Sequence, residues 1–166
     1  MSCPNDLRGA PDKVRVCYEE TDCGHQGRLS DGRVFVAYTT GAAPAGGHNV
    51  DRIVAVLHLF DTDGSHLRTE SRLGGLCQNW ETYREDRDRA GEVADRALTE
   101  LLATLAQFAP CYEPVDVRPF EVQIEGVEYG FVYRVMGDDE RTDEYVIHMP
   151  RHHWYHAPWT TGEYDT

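Results

Sequence analysis

Lysine occurs once in this chain, at Lys13, against fifteen arginines, and serine only four times, at Ser2, Ser30, Ser65 and Ser71. With a single lysine near one end and no glycine-rich loop around it, Schiff-base chemistry and P-loop phosphate binding have no candidate residue. None of the serines sits in a Gly-x-Ser-x-Gly elbow, and there is no dinucleotide fingerprint and no His-Glu-x-x-His. Hydrolase and dehydrogenase superfamilies therefore find no positive support.

Long apolar runs are also missing. The longest, Ile53 to Phe60, is broken by His58 and falls far short of the roughly 20 residues a membrane helix needs. The opening Met-Ser-Cys-Pro-Asn-Asp lacks the basic-then-apolar order of a secretion signal, so a soluble cytoplasmic protein is expected. Five cysteines (Cys3, Cys17, Cys23, Cys77, Cys111) at irregular spacings point to free thiols in a reducing compartment, not to a disulfide framework. Positive charge is outweighed too: the net charge is −13. That field repels nucleic-acid phosphates and anionic membranes, so neither is expected as a direct partner, whereas a protein with a basic surface fits.

The 166 residues are the size of one domain and bury roughly two thirds of the surface their unfolded form exposes. We expect a single domain over residues 1–166, with an irregular N-terminal lead-in and an anchored C-terminal tail. Alternation predicts strands at Lys13–Tyr18 and Arg33–Thr40, joined by a polar loop over Glu19–Gly32. A Gly, Ala and Pro rich loop follows over Gly41–Asn49. Arg52–Phe60 is apolar on both faces and reads as a central strand covered on both sides. Asp61-Thr62-Asp63-Gly64 turns the chain, and His66–Arg72 returns as a polar edge partner. Asp61, Asp63, Gly64 and Glu70 match four positions of a calcium loop, but Leu59 stands where its first carboxylate belongs, so calcium is not expected.

From Asp88 onward, Val93, Ala97, Leu101, Leu105 and Phe108 recur at helical steps, flanked by Ala94, Leu98 and Leu102, and Pro110 closes the helix. Glu125-Gly126 forms a two-residue turn that pairs Ile124 with Val127, Val122 with Tyr129 and Phe120 with Phe131 on one face. An acidic turn over Asp138–Glu144 leads to a last strand, Tyr145–Met149. The expected fold is α+β: an antiparallel sheet of about six or seven strands with one long helix packed on one face.

Chemistry concentrates at the end of the chain. His148–Thr166 holds four of the eight histidines (His148, His152, His153, His156) with Trp154, Tyr155, Trp159 and Tyr164. On a helix, His152 and His156 would lie one turn apart, the spacing of many zinc pairs, with Glu163 or Asp165 to complete a site for zinc or another transition metal. Pro150 and Pro158 leave little room for that helix, so no cofactor is favoured and the segment reads as a strand with a docked tail. Trp154, Tyr155, His156 and Trp159 are then the candidate contact surface, toward a partner or a second copy. Cys17, Cys23 and His25 form a second constellation, for metal or for a thiol nucleophile, with a spacing that matches no compact zinc knuckle.

The expected function is that of a small acidic binding protein that occludes a partner, such as an immunity protein or inhibitor of a basic toxin, nuclease or defence protein. The alternative is a metal-dependent or histidine-assisted enzyme with its site in the C-terminal segment. Protonating all eight histidines takes the net charge from −13 to −5, so an electrostatic partner should be held less tightly below about pH 6.

Overall fold

The computed structural model describes residues 9–19 and 24–166. At its centre lies β4 (Arg52–Phe60), in which every residue from Ile53 onward is buried. A strand apolar on both faces needs two covers, and they differ in kind. One is the helix α1 (Tyr83–Ala103), whose Leu98 and Leu101 meet Phe35, Ala37, Ala55, Leu57 and Leu59. The other is a second sheet, whose Val127, Tyr129, Phe131, Val146 and Tyr155 meet Val34, Val36, Tyr38, Val54, Val56 and Phe60.

The first sheet runs β5 (His66–Leu76), β4, β3 (Val34–Ala42), β2 (Gly24–Arg28) and β6 (Cys111–Tyr112). The second is a meander of β8 (Phe120–Ile124), β9 (Val127–Gly137), β10 (Thr142–Met149), β11 (His153–Tyr155) and β12 (Tyr164–Asp165), all antiparallel. A two-stranded ribbon of β1 (Val14–Val16) and β7 (Val115–Val117) adds Val14, Val16, Val115 and Val117 to the same core. Among the described residues there are thus twelve strands in three sheets, where six or seven in one sheet were expected. The α+β class and the single long helix stand, but the count does not. The additional strands are mostly two to five residues long, too short to display an alternation of their own. No helix among the described residues is long and apolar enough to cross a membrane.

The β8–β9 hairpin has the expected register, with Ile124 opposite Val127, Val122 opposite Tyr129 and Phe120 opposite Phe131. Its turn places both Glu125 (φ 51°) and Gly126 (φ 78°) in the left-handed region, the backbone of a tight two-residue hairpin turn. The helix starts five residues earlier than Asp88 and ends at Ala103, followed by a 3₁₀ turn over Ala106–Phe108. Its deepest positions are Ala90, Ala94, Leu98 and Leu101. Ala90 and Ala94 ride directly over Gly74 on β5, where a Cβ would come within 2.4 Å of the Ala90 carbonyl oxygen. Small residues on both sides thus set how closely helix and sheet approach.

Candidate functional site

Alternation along β10 and β11 divides the C-terminal histidine and aromatic segment between two faces. The chain reverses over Met149–His152, through a cis Met149–Pro150 peptide and a His152 at φ 60°, whose N–H donates to the His148 carbonyl at 2.6 Å. Strand pairing sets His148 against His153 and Val146 against Tyr155 on the inner face, and Ile147 against Trp154 on the outer face. Tyr145 lies on the outer face as well.

The inner face closes over a buried polar cluster. His148 is fully buried. Its Nδ1 shares a hydrogen bond of 3.1 Å with the Tyr18 hydroxyl, and its ring stacks on Phe131 at 4.3 Å and meets Tyr38 edge-on at 4.6 Å. Its Nε2 has no hydrogen-bond partner among the described residues. Burial, with the neighbouring His58 and Arg151 adding to it, holds the His148 pKa well below the ordinary imidazole value, so the ring is neutral at pH 7. The Arg151 guanidinium lies 4.8 Å from the centre of the Tyr18 ring and 5.9 Å from that of Tyr38.

A hydrogen-bonded chain leads from this cluster towards the surface. The Tyr38 hydroxyl is 2.8 Å from His58 Nε2, His58 Nδ1 is 2.8 Å from the Thr69 hydroxyl, and that hydroxyl is 2.8 Å from His66 Nε2. Burial and the facing His66 push the His58 pKa down to about 3, while burial raises the pKa values of Tyr18 and Tyr38. Burial thus disfavours the charged forms of His58, His148, Tyr18 and Tyr38. The chain runs within the first sheet and joins the second where the Tyr38 hydroxyl lies 3.4 Å from the Met149 carbonyl oxygen and the Ser71 and Tyr129 hydroxyls share a bond of 2.8 Å.

The outer face carries a different chemistry. No other described helix or strand packs extensively against it. Its centre is Val132, Tyr145, Ile147, Met149 and Trp154, with Trp154 and His156 each meeting the Tyr145 ring edge-on at 5.2 and 4.8 Å. Carboxylates surround it. Glu121 and Glu128 lie close enough that burial and the neighbouring Glu121 together raise the Glu128 pKa, although Arg134 reaches Glu128 at 3.3 Å. Asp165 pairs with His156 Nε2 at 2.9 Å. A cavity of about 210 Å³ opens beside that pair, lined in part by Pro158, Glu163 and Asp165.

The four residues expected to form a contact surface are therefore not together. Trp154 and His156 face outward, Tyr155 is 1 % exposed within the core, and Trp159 packs against that core with its carbonyl accepting from the Arg15 N–H at 2.9 Å. His152 sits at the exposed reversal, and His156 is engaged with Asp165 and Tyr145. Among the described residues, no group of three or more His, Cys, Asp or Glu is arranged to hold a metal ion. Cys3 and Cys23 lie outside the described residues. Cys17, Cys77 and Cys111 are free thiols, and Cys17 and His25 line one open cleft of about 410 Å³.

Tyr18, Tyr38, His58 and Arg151 were not singled out by the sequence, because the cluster assembles from positions spread over more than a hundred residues. Tyr145 could have been found: it stands two residues before Ile147 on a strand whose outer register the sequence already implies. Searches of protein-family models, curated proteins and solved structures return no match to this chain.

Proposed function

We propose that this chain is an acidic binding protein that occludes a basic protein partner, docking it on the outer face of the second sheet. The observation that carries the reading is that face itself: a sheet surface left uncovered by the described residues, with an aromatic and aliphatic centre and a rim of carboxylates. Interfaces of this kind draw most of their affinity from a few central aromatics, here Trp154 with Tyr145. The rim supplies steering and sign. Glu121 beside Glu128 is a like-charge pair that an incoming arginine or lysine relieves, and the cavity at Glu163 and Asp165 is large enough to take such a side chain. The net charge of −13 speeds encounter with a cationic protein. An inhibitor or immunity protein directed at a basic toxin, nuclease or defence protein is the class that fits.

The test is capture from the native host with wild type, Trp154→Ala and the double variant Glu121→Gln, Glu128→Gln, followed by titration of the captured partner's activity. Trp154→Ala should weaken binding by about thirtyfold or more. The carboxylate variant should slow association and flatten its salt dependence. A partner held equally by all three chains, or with an affinity indifferent to salt, sinks the reading.

A second reading, histidine-assisted catalysis, has one observation in its favour: the buried, unmatched Nε2 of His148 beside Tyr18 and Arg151. It requires an opening to that nitrogen. A small-molecule signal that disappears in His148→Gln, while the fold is retained, would favour it over the binding reading.

A further inference from the structure

Among the described residues the two large sheets together present four edges, and three of them are short. β6 and β12 have two residues each and β8 has five, whereas β5 runs for eleven, from His66 to Leu76. An edge strand leaves a row of backbone N–H and C=O groups without partners in the sheet. β5 has pairing irregularities near each end, and between them Arg68–Leu73 pairs regularly with β4; an antiparallel copy centred on Thr69 overlaps this edge over residues 66–72, with the regular segment Arg68–Glu70 at the middle.

Two independent observations identify the occupant. The first is charge order. Arg68, Glu70 and Arg72 lie opposite Leu59, Leu57 and Ala55, and so share the face that carries α1. Glu70 and Arg72 pair at 3.3 Å and Arg72 also reaches Glu100 at 2.9 Å, while Arg68 makes no ion pair among the described residues. An antiparallel copy of the same strand, related by a two-fold axis through Thr69, sets Arg68 opposite the copy's Glu70 and Glu70 opposite the copy's Arg68. The edge is self-complementary in that register. The second is exposed apolar surface. Of the seven large hydrophobic residues exposed among the described ones, four belong to β5 or the turn after it: Leu67, Leu73, Leu76 and Trp80, the last 88 % exposed. A charged strand that served only to keep other chains away has no use for these side chains.

We infer that β5 is the interface for a second copy of this chain, the two edges pairing antiparallel about Thr69 into one continuous ten-stranded sheet. Cross-strand ion pairs of Arg68 with Glu70 fix the register, Leu67 comes opposite the copy's Ser71, and Leu73 stands just past the end of the paired stretch. The outer face of the second sheet takes no part in this contact, so the dimer stands or falls independently of the partner-binding reading.

The experiment is sedimentation of the untagged chain over a concentration series, paired with hydrogen exchange. The chain should pass from one copy to two as concentration rises, with the amides of residues 66–76 slowing in step. Glu70→Arg and Arg68→Glu each oppose like charges across the two-fold axis and should weaken the dimer by about tenfold or more. Mixing the two variants should restore it, because one chain then carries only cations at these positions and the other only anions. The mixing result separates a lost contact from a damaged fold, and circular dichroism checks that each variant is folded. A wild-type chain that remains single up to its solubility limit overturns the proposal. So does a dimer whose 66–76 amides exchange as fast as in the single chain, or one that both variants leave unchanged without any gain on mixing.

Discussion

The two large sheets differ in how they are finished. The first is covered on both faces, by α1 on one side and the second sheet on the other, and its interior strand β4 shows almost nothing to solvent. Among the described residues the second is covered on one face only, and its other face keeps Trp154, Tyr145 and Ile147 half-exposed behind carboxylates. Burial on the first sheet is explained by folding alone. The aromatic surface on the outside of the second is not, and that contrast marks it as the face suited to a partner.

Acid should separate the two regions most strongly. The buried histidines belong to the contact between the sheets, where His58 and His148 are held neutral. Unfolding returns each to an ordinary value near 6.5, so the unfolded chain binds more protons below that pH. Their contribution is present in full above about pH 6.5 and is lost as the pH falls towards the folded values. For His58, folded near 3, the loss amounts to about 2 kcal/mol by about pH 5 and roughly 4–5 kcal/mol at the acid end, with His148 acting in the same direction. Urea midpoints measured across this range should fall with pH, and His58→Gln should flatten the slope. A slope unchanged in that variant would place the acid sensitivity elsewhere.

Truncation tests the same contrast at neutral pH. Phe131, fully buried against Phe120, His148 and Tyr155, should cost about 3–5 kcal/mol as Phe131→Ala. Tyr38→Phe removes the hydroxyl that bonds His58, leaves a buried nitrogen unmatched, and should cost about 1–3 kcal/mol in the same denaturation measurement. Trp154→Ala, on the outer face, should cost less than about 1 kcal/mol of stability while removing most of the partner affinity. Equal losses for Phe131 and Trp154 would mean that the outer face is structural.

Where the sequence was legible, two local signals agreed. In the β8–β9 hairpin the turn residues Glu125-Gly126 and the alternation on both strands select one register, and in β4 the two-sided apolar pattern gives its bounds and its central place. That same pattern held an unused clue, since one helix cannot cover two faces. β2, reading Gly-His-Gln-Gly-Arg, has no strand propensity and exists because β3 and β6 pair with its backbone. The start of α1 was hidden by the polar run after Tyr83, although Thr82 with Glu85 has the spacing of a capping box. In the fold Thr82 bonds Asp86 instead, at 2.6 Å. Of the candidate site, the outward Trp154 and His156 followed from the segment's composition. The inner cluster did not, because nothing local in Tyr18, Tyr38 or Arg151 marks them as neighbours.

The two-sided cover of β4 also sets an order of assembly. Strands β2 to β5 are complete once Leu76 has been made, yet the residues that shield Val36, Tyr38, Val56 and Phe60 extend to Tyr155. The 79 residues from Cys77 to Tyr155 take roughly 4–16 s to synthesise at about 5–20 residues per second. For that interval the nascent chain lacks the side chains that cover this apolar surface, the kind of exposure that chaperones bind. Ribosome-bound chains stalled before Phe131 should be digested by protease as readily as unfolded ones, and faster elongation over this stretch should raise the soluble yield.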